Sequence, residues 1–317
     1  MRVTAAIALT LTLAAPAQAS GFWERSDEDP DAEVARVNYE REMELGNEYA
    51  IQAANRGASS LGLGKLVMRA FRAYENAALA RPDAAEPHYL AGLVLWSFFN
   101  CGASANPICR NGNQDPSIAE RIATHWTAFE KLAPLDPRID ASFLFERALA
   151  HTNVATREHL VAAIDDYLES LRRTDLIRIN VANAYGNLAE NYMMVGRLEE
   201  ALATYPEAIR LRPSTTTIYG YAVALDRDEQ GTKARELIAD LGPSAFEEFK
   251  RSVESGEAFY VPLGEVFYYF ALAEESLGDP ERAMADWDRF LASGAHAEFA
   301  ARARANRDAL AARKPRK

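Results

Sequence analysis

The apolar positions of this chain recur with the spacing of paired helices. Three phrases end at a proline: AYENAALARP at Pro82, AFEKLAPLDP at Pro137 and TYPEAIRLRP at Pro213. An aromatic residue stands eight positions before each proline, at Tyr74, Phe129 and Tyr205. Twelve positions before stand Ala70, His125 and Ala201, two of them small. The clearest copy begins at Ala182 and reads ANAYGNLAENYMMVGRLEEALATYPEAIRLRPST. Its small residues Ala189 and Ala201 let two antiparallel helices approach closely. Its large residues Tyr185, Leu188, Tyr192 and Tyr205 fill the space between those helices and the next pair. Gly196 supplies the turn, and Pro213 stops the second helix. A second copy, GEVFYYFALAEESLGDPERAMADWDRFLASGA, keeps the phase at Phe267, Phe270, Ala271, Gly278, Ala283 and Trp287. A third begins near Ala85 and carries His88, Ala91, Gly92 and Leu95. Residues 138–174 and 214–241 are helical in pattern without the full set of positions, and SAFEEFKRSVES reads as one more helix. No stretch alternates with period two, so strands are not expected. The pattern predicts an all-α array of five or six helix pairs, none able to bury its apolar face alone.

The copy from Ala182 resembles a tetratricopeptide repeat, with Tyr185 where the family prefers Trp and Ala189 where it prefers Gly. The resemblance covers most of residues 31–295 as architecture and one copy by motif. It implies a right-handed solenoid whose first helices line a concave groove, and a scaffold that binds a protein or peptide there. On that groove the resemblance places Asn183, Glu190 and Met193 from the clearest copy, Tyr268 and Glu275 from the last, and Tyr89 and Trp96 from the early one. Aromatics and a methionine among polar groups suit adaptable recognition. The same Tyr89, Trp96 and Tyr268 equally suit packing between repeats.

The two ends differ from the repeats. The chain opens MRVTAAIALTLTLAAPAQAS, with Arg2 its only charge before Glu24 and a small-x-small pattern at Ala17-Gln18-Ala19. Residues 1–19 read as a secretory signal peptide, with a retained anchor as the alternative, so the protein is expected to be exported, periplasmic or secreted. Residues 20–30 form an acidic, flexible leader. No later segment approaches the apolar length of a membrane span. Residues 296–317, HAEFAARARANRDALAARKPRK, read as an amphipathic helix that caps the array and a basic tail, with a basic docking patch as the alternative.

Charge and composition narrow the partners. Acidic residues outnumber basic ones by 46 to 35, for a formal charge of −11. That balance argues against nucleic acid and against an anionic membrane surface. Hydrophobic residues make up 49% of the chain, enough for a large core.

One stretch interrupts the helices: NCGASANPICRNGNQDP, residues 100–116, which holds both cysteines. Pro82 and Pro137 lie 55 residues apart, against about 34 for one repeat. The surplus predicts an insertion, residues 98–116, between the two helices of one pair. In an oxidising compartment Cys101 and Cys109 are expected to close a disulfide. Redox motifs favour a closer Cys-x-x-Cys, zinc needs two further ligands, and NGNQD lacks the carboxylates of a calcium loop. The stapled loop either borders the groove or plugs a seam of the array.

Catalytic patterns are absent from the sequence. The five histidines, His88, His125, His151, His159 and His296, form no His-Glu-x-x-His. No Gly-x-Ser-x-Gly occurs. GASSLGLGK lacks the first glycine and the terminal hydroxyl of a phosphate loop. No two carboxylates stand out as an acid and base. The reading is a non-enzymatic, cofactor-free and metal-free exported scaffold for an unidentified protein or peptide. The alternative is a soluble small-solute-binding component associated with an envelope transporter.

Overall fold

Short caps and turns divide the chain into the expected helix pairs. The computed structural model describes residues 30–56, 62–99, 116–173, 180–256 and 258–312. The signal segment, most of the leader, and Cys101 and Cys109 with their expected bridge lie outside the described residues. Among the described residues six pairs follow one another: α1 Pro30–Ala54 with α2 Leu63–Ala80, α3 Glu86–Phe99 with α4 Pro116–Leu132, and α5 Ala141–Val154 with α6 Arg157–Arg172. Then come α7 Val181–Met194 with α8 Leu198–Leu211, α9 Thr215–Arg227 with α10 Gly231–Glu254, and α11 Val266–Leu277 with α12 Pro280–Ser293. A thirteenth helix, α13 Ala300–Ala312, follows a short 3₁₀ turn. Each helix packs on its neighbours in the chain, and α9 also touches α7 and α11. Among the described residues there is no strand, and no helix is long and apolar enough to cross a membrane.

Polar side chains start these helices as the sequence requires. Asp140, Asn180 and Ser214 each accept a hydrogen bond from the backbone N–H three residues on, at 2.9, 3.2 and 3.2 Å. The close-packing positions of the clearest copy are buried: Ala189, Ala201 and Tyr205 have no exposed surface, and Leu188, Tyr192 and Ala208 have almost none. In the early copy, Gly92 faces the indole of Trp126 so closely that a Cβ there would collide with it. Two hydrophobic clusters make the core, and α5 gives Ala150 to the first and Ala148 to the second.

Two features depart from a regular repeat. The segment SAFEEFKRSVES forms the further helix that the sequence predicts, joined to the first part of α10 as its distal half across a break at Gly242, whose φ of 76° and ψ of 176° are non-helical, and Pro243. The redirected half packs Phe246 and Phe249 against Tyr219 of α9 and Phe270 of α11. Arg302 of α13 is also drawn inward, whereas Arg307 pairs at the surface. Arg302 and Asn306 donate to the buried Asp226 of α9 at 2.6 and 2.8 Å, and Arg307 pairs with Asp288 of α12.

Two histidine pairs tie helices together within a pair. His88 and His125 meet Nδ1 to Nδ1 at 3.0 Å, and His151 and His159 at 2.9 Å. Each pair shares one proton, so a second must break it. Burial, then the neighbouring His88 and Arg121, hold His125 down to about 4. Burial, then His159 and Arg147, hold His151 down to about 3. Both values lie below the ordinary histidine near 6.5. Their stabilisation is therefore complete above about pH 6.5 and is lost as pH falls toward 4, each by an amount on the order of 3 kcal/mol. Burial raises Glu146, Glu190 and Glu274 to about 7, which acts in the opposite sense as pH falls. The histidine share is thus read by difference. A His125→Gln, His151→Gln variant is expected to lose less of its own stability between pH 6.5 and 4.5 than the wild type in urea melts. Parallel losses in the two proteins would refute the shared-proton pairs.

Candidate functional site

A concavity built by these helices lies between α7, the start of α9 and the redirected half of α10. It is a half-open cavity of about 880 Å³. From α7, Asn183, Asn187, Glu190, Asn191 and Met194 line it. Asn183, Asn187, Glu190 and Met194 share one helix face because their spacings are four, three and four, and Asn191 falls four after Asn187. The amino end of α9 adds the hydroxyls of Ser214, Thr216 and Thr217, which are linked to one another at 2.7 and 3.3 Å. The opposite wall is Phe249, Arg251 and Ser252 of α10 with its C-cap Ser255, followed by Phe259 and Tyr260. The kink at Gly242 and Pro243 is what turns that wall toward α7.

The polar groups of the cavity are partly engaged with each other. Asn191 donates to Thr152 of α5 at 3.0 Å and to the carbonyl of Asn187 at 2.8 Å, which closes one end. Arg212 donates to the carboxamide oxygen of Asn183 at the rim. On the floor, the Tyr269 hydroxyl donates to Glu190 Oε2 at 3.4 Å. The Tyr205 hydroxyl is buried beside the same carboxylate. Gly220 of α9 makes room for both, because a Cβ there would collide with Glu190 Oε1 and the Tyr205 hydroxyl. Tyr260 packs on Tyr269 with ring centres 4.4 Å apart, and Phe249 lies against both. Burial is the main reason that the Glu190 carboxyl rises to about 7, and donation from Tyr205 and Tyr269 partly opposes it. Among the described residues no group of three potential metal ligands converges.

Of the seven residues expected on a groove, the cavity brings together Asn183 and Glu190. Met193 is buried in the core, and its neighbour Met194 lines the cavity instead. Tyr268 is fully buried, donates to Asp226 at 2.7 Å and meets Trp287 and Phe290 edge-on. Glu275 is buried beside Arg235, 3.6 Å away. Trp96 is buried against Trp126. Tyr89 is half-buried under the Arg138 guanidinium and against Phe129. These five therefore serve packing or internal pairing rather than the cavity. The sequence did carry a signal for Asn187 and Asn191, which fall four and eight residues after Asn183. Phe249, Phe259 and Tyr260 were invisible because only tertiary packing beyond the break at Gly242 brings them to α7.

No family model matches the chain, and no curated protein matches it. Among solved structures, the TPR domain of P58(IPK) aligns with 86% of this chain and 97% of its own, at 12% identity and a TM-score of 0.20. At that score the likeness adds nothing to the packing described above. The buried small and aromatic positions from Ala189 to Ala208 lie where paired helices pack closest.

Proposed function

We propose that this protein is a helical-repeat scaffold that binds an extended segment of a partner protein in the cavity between α7, α9 and the distal half of α10. The observation that carries this reading is the makeup of its walls, with amides and hydroxyls on one side and Phe249, Phe259 and Tyr260 on the other. A carboxamide both donates and accepts, as a peptide group does. Asn183 and Asn187 stand one turn apart, about 6 Å along the helix. An extended peptide presents the same backbone groups every two residues, roughly 6.6 Å. The aromatic wall supplies apolar area for alternate side chains.

The volume also falls within the range of small-molecule sites, which supports a solute as the second reading. Selection from a library of end-capped random peptides of about nine residues, roughly 30 Å extended, separates the two. The wild type is expected to enrich a peptide family. Ser252→Trp, which fills the cavity from α10, is expected to lose that enrichment by at least about tenfold while melting within a few degrees of wild type. Enrichment that survives the tryptophan, or no enrichment by the wild type, would refute the groove reading.

A further inference from the structure

The cavity ends on a carboxylate, not on an apolar floor, and that carboxylate has no cation of its own. Glu190 makes no ion pair among the described residues. The buried guanidinium whose charge reaches it, Arg227, is taken by Glu265 at 2.7 Å. Tyr269 holds the carboxyl from one side, and the missing side chain of Gly220 leaves it space. The rings of Phe249 and Tyr260 stand beside it in the cavity wall.

We propose that the floor of the cavity is a recognition subsite for one basic side chain, lysine or arginine, of the bound segment, with Glu190 as its ion-pair partner and Tyr260 and Phe249 as aromatic flanks. This rests on the groove reading above and narrows its occupant. A buried carboxylate is costly until a cation meets it. Aromatic faces beside it attract the same cation. The other charged groups that line the cavity are Glu248 and Arg251 of α10, and the Arg251 Nε is already engaged with the Glu247 carbonyl. The acidic balance of the chain, 46 against 35, favours a basic partner for the same reason. Burial raises the Glu190 carboxyl to about 7, so a bound cation displaces its proton, and affinity rises from pH 6 to pH 8. Beyond Glu248 and Arg251, the groups facing this titration are Tyr205, Tyr260, Tyr269, Glu265 and Arg227.

The test uses the peptides enriched above, resynthesised with lysine or norleucine at each position in turn. One position is expected to prefer lysine about tenfold in Kd, with the preference growing from pH 6 to pH 8. Glu190→Gln is expected to remove that preference and to keep its affinity for the norleucine peptide. Glu190→Asp, which keeps the charge on a shorter arm, retains part of the preference and controls for disturbed packing. Equal affinity for lysine and norleucine peptides in the wild type would overturn the subsite while leaving the groove standing. A preference that survives in Glu190→Gln would do the same. A wild type that enriches no peptide overturns the groove reading and the subsite with it.

Discussion

Replacing Glu265 with alanine is expected to destabilise the C-terminal half of the protein by about 3–5 kcal/mol. The Arg227 side chain has no exposed surface and that of Glu265 only 3%, with 2.7 Å between them. The guanidinium also lies over the rings of Tyr268 and Phe299, at 4.5 and 4.3 Å, so it joins α9 to α11 and to the turn before α13. Removing the carboxylate strands a positive charge where water cannot reach it. The pair itself is not a strong net stabiliser, because Arg227 Nε and Nη1 have no hydrogen-bond partner among the described residues. An Arg227→Leu, Glu265→Leu double variant is therefore expected to recover most of the loss seen in Glu265→Ala. Urea midpoints of the two variants and the wild type decide this. A double variant as unstable as the single one would contradict the argument.

The second large effect belongs to Asp226, which has no exposed surface and holds α13 to the array. Its carboxylate accepts from the Tyr268 hydroxyl at 2.7 Å, from Arg302 Nη2 at 2.6 Å and from Asn306 at 2.8 Å. Asp226→Ala leaves three donors, two of them on α13, without their shared acceptor. The expected cost is about 3 kcal/mol or more. The distinguishing sign is local. Hydrogen exchange across Ala300–Ala312 should accelerate far more than across α1 to α4. Uniform acceleration, or none in α13, would show that Ala303 and Leu310 alone dock the helix.

The sequence made some of this legible and hid the rest for physical reasons. Ala189, Ala201, Tyr205 and Ala208 were readable because close packing of two helices needs small residues opposite large ones, and that requirement is local. The insertion expected at residues 98–116 lies almost entirely outside the described residues. The helix after Leu241 was readable as helix, but its direction was not, since the kink at Gly242 decides which wall it forms. Met193 and Met194 differ by about 100° around α7, so a register argument could select the wrong one. Tyr268 and Glu275 looked like groove residues because their partners Asp226 and Arg235 are distant in sequence. Of the cavity, Asn183 and Glu190 could be read from one helix face, whereas the wall from Phe249 to Tyr260 depends on tertiary structure.

The most direct measurement is the hydrogen-exchange footprint of the best enriched peptide on the full-length protein, with Ser252→Trp as the control. Binding between α7, α9 and the distal half of α10 predicts slowed exchange in residues 183–194, 214–217 and 248–260, and no change in α1 to α4 or in the control. Protection confined to other helices, or protection that persists in Ser252→Trp, would contradict it.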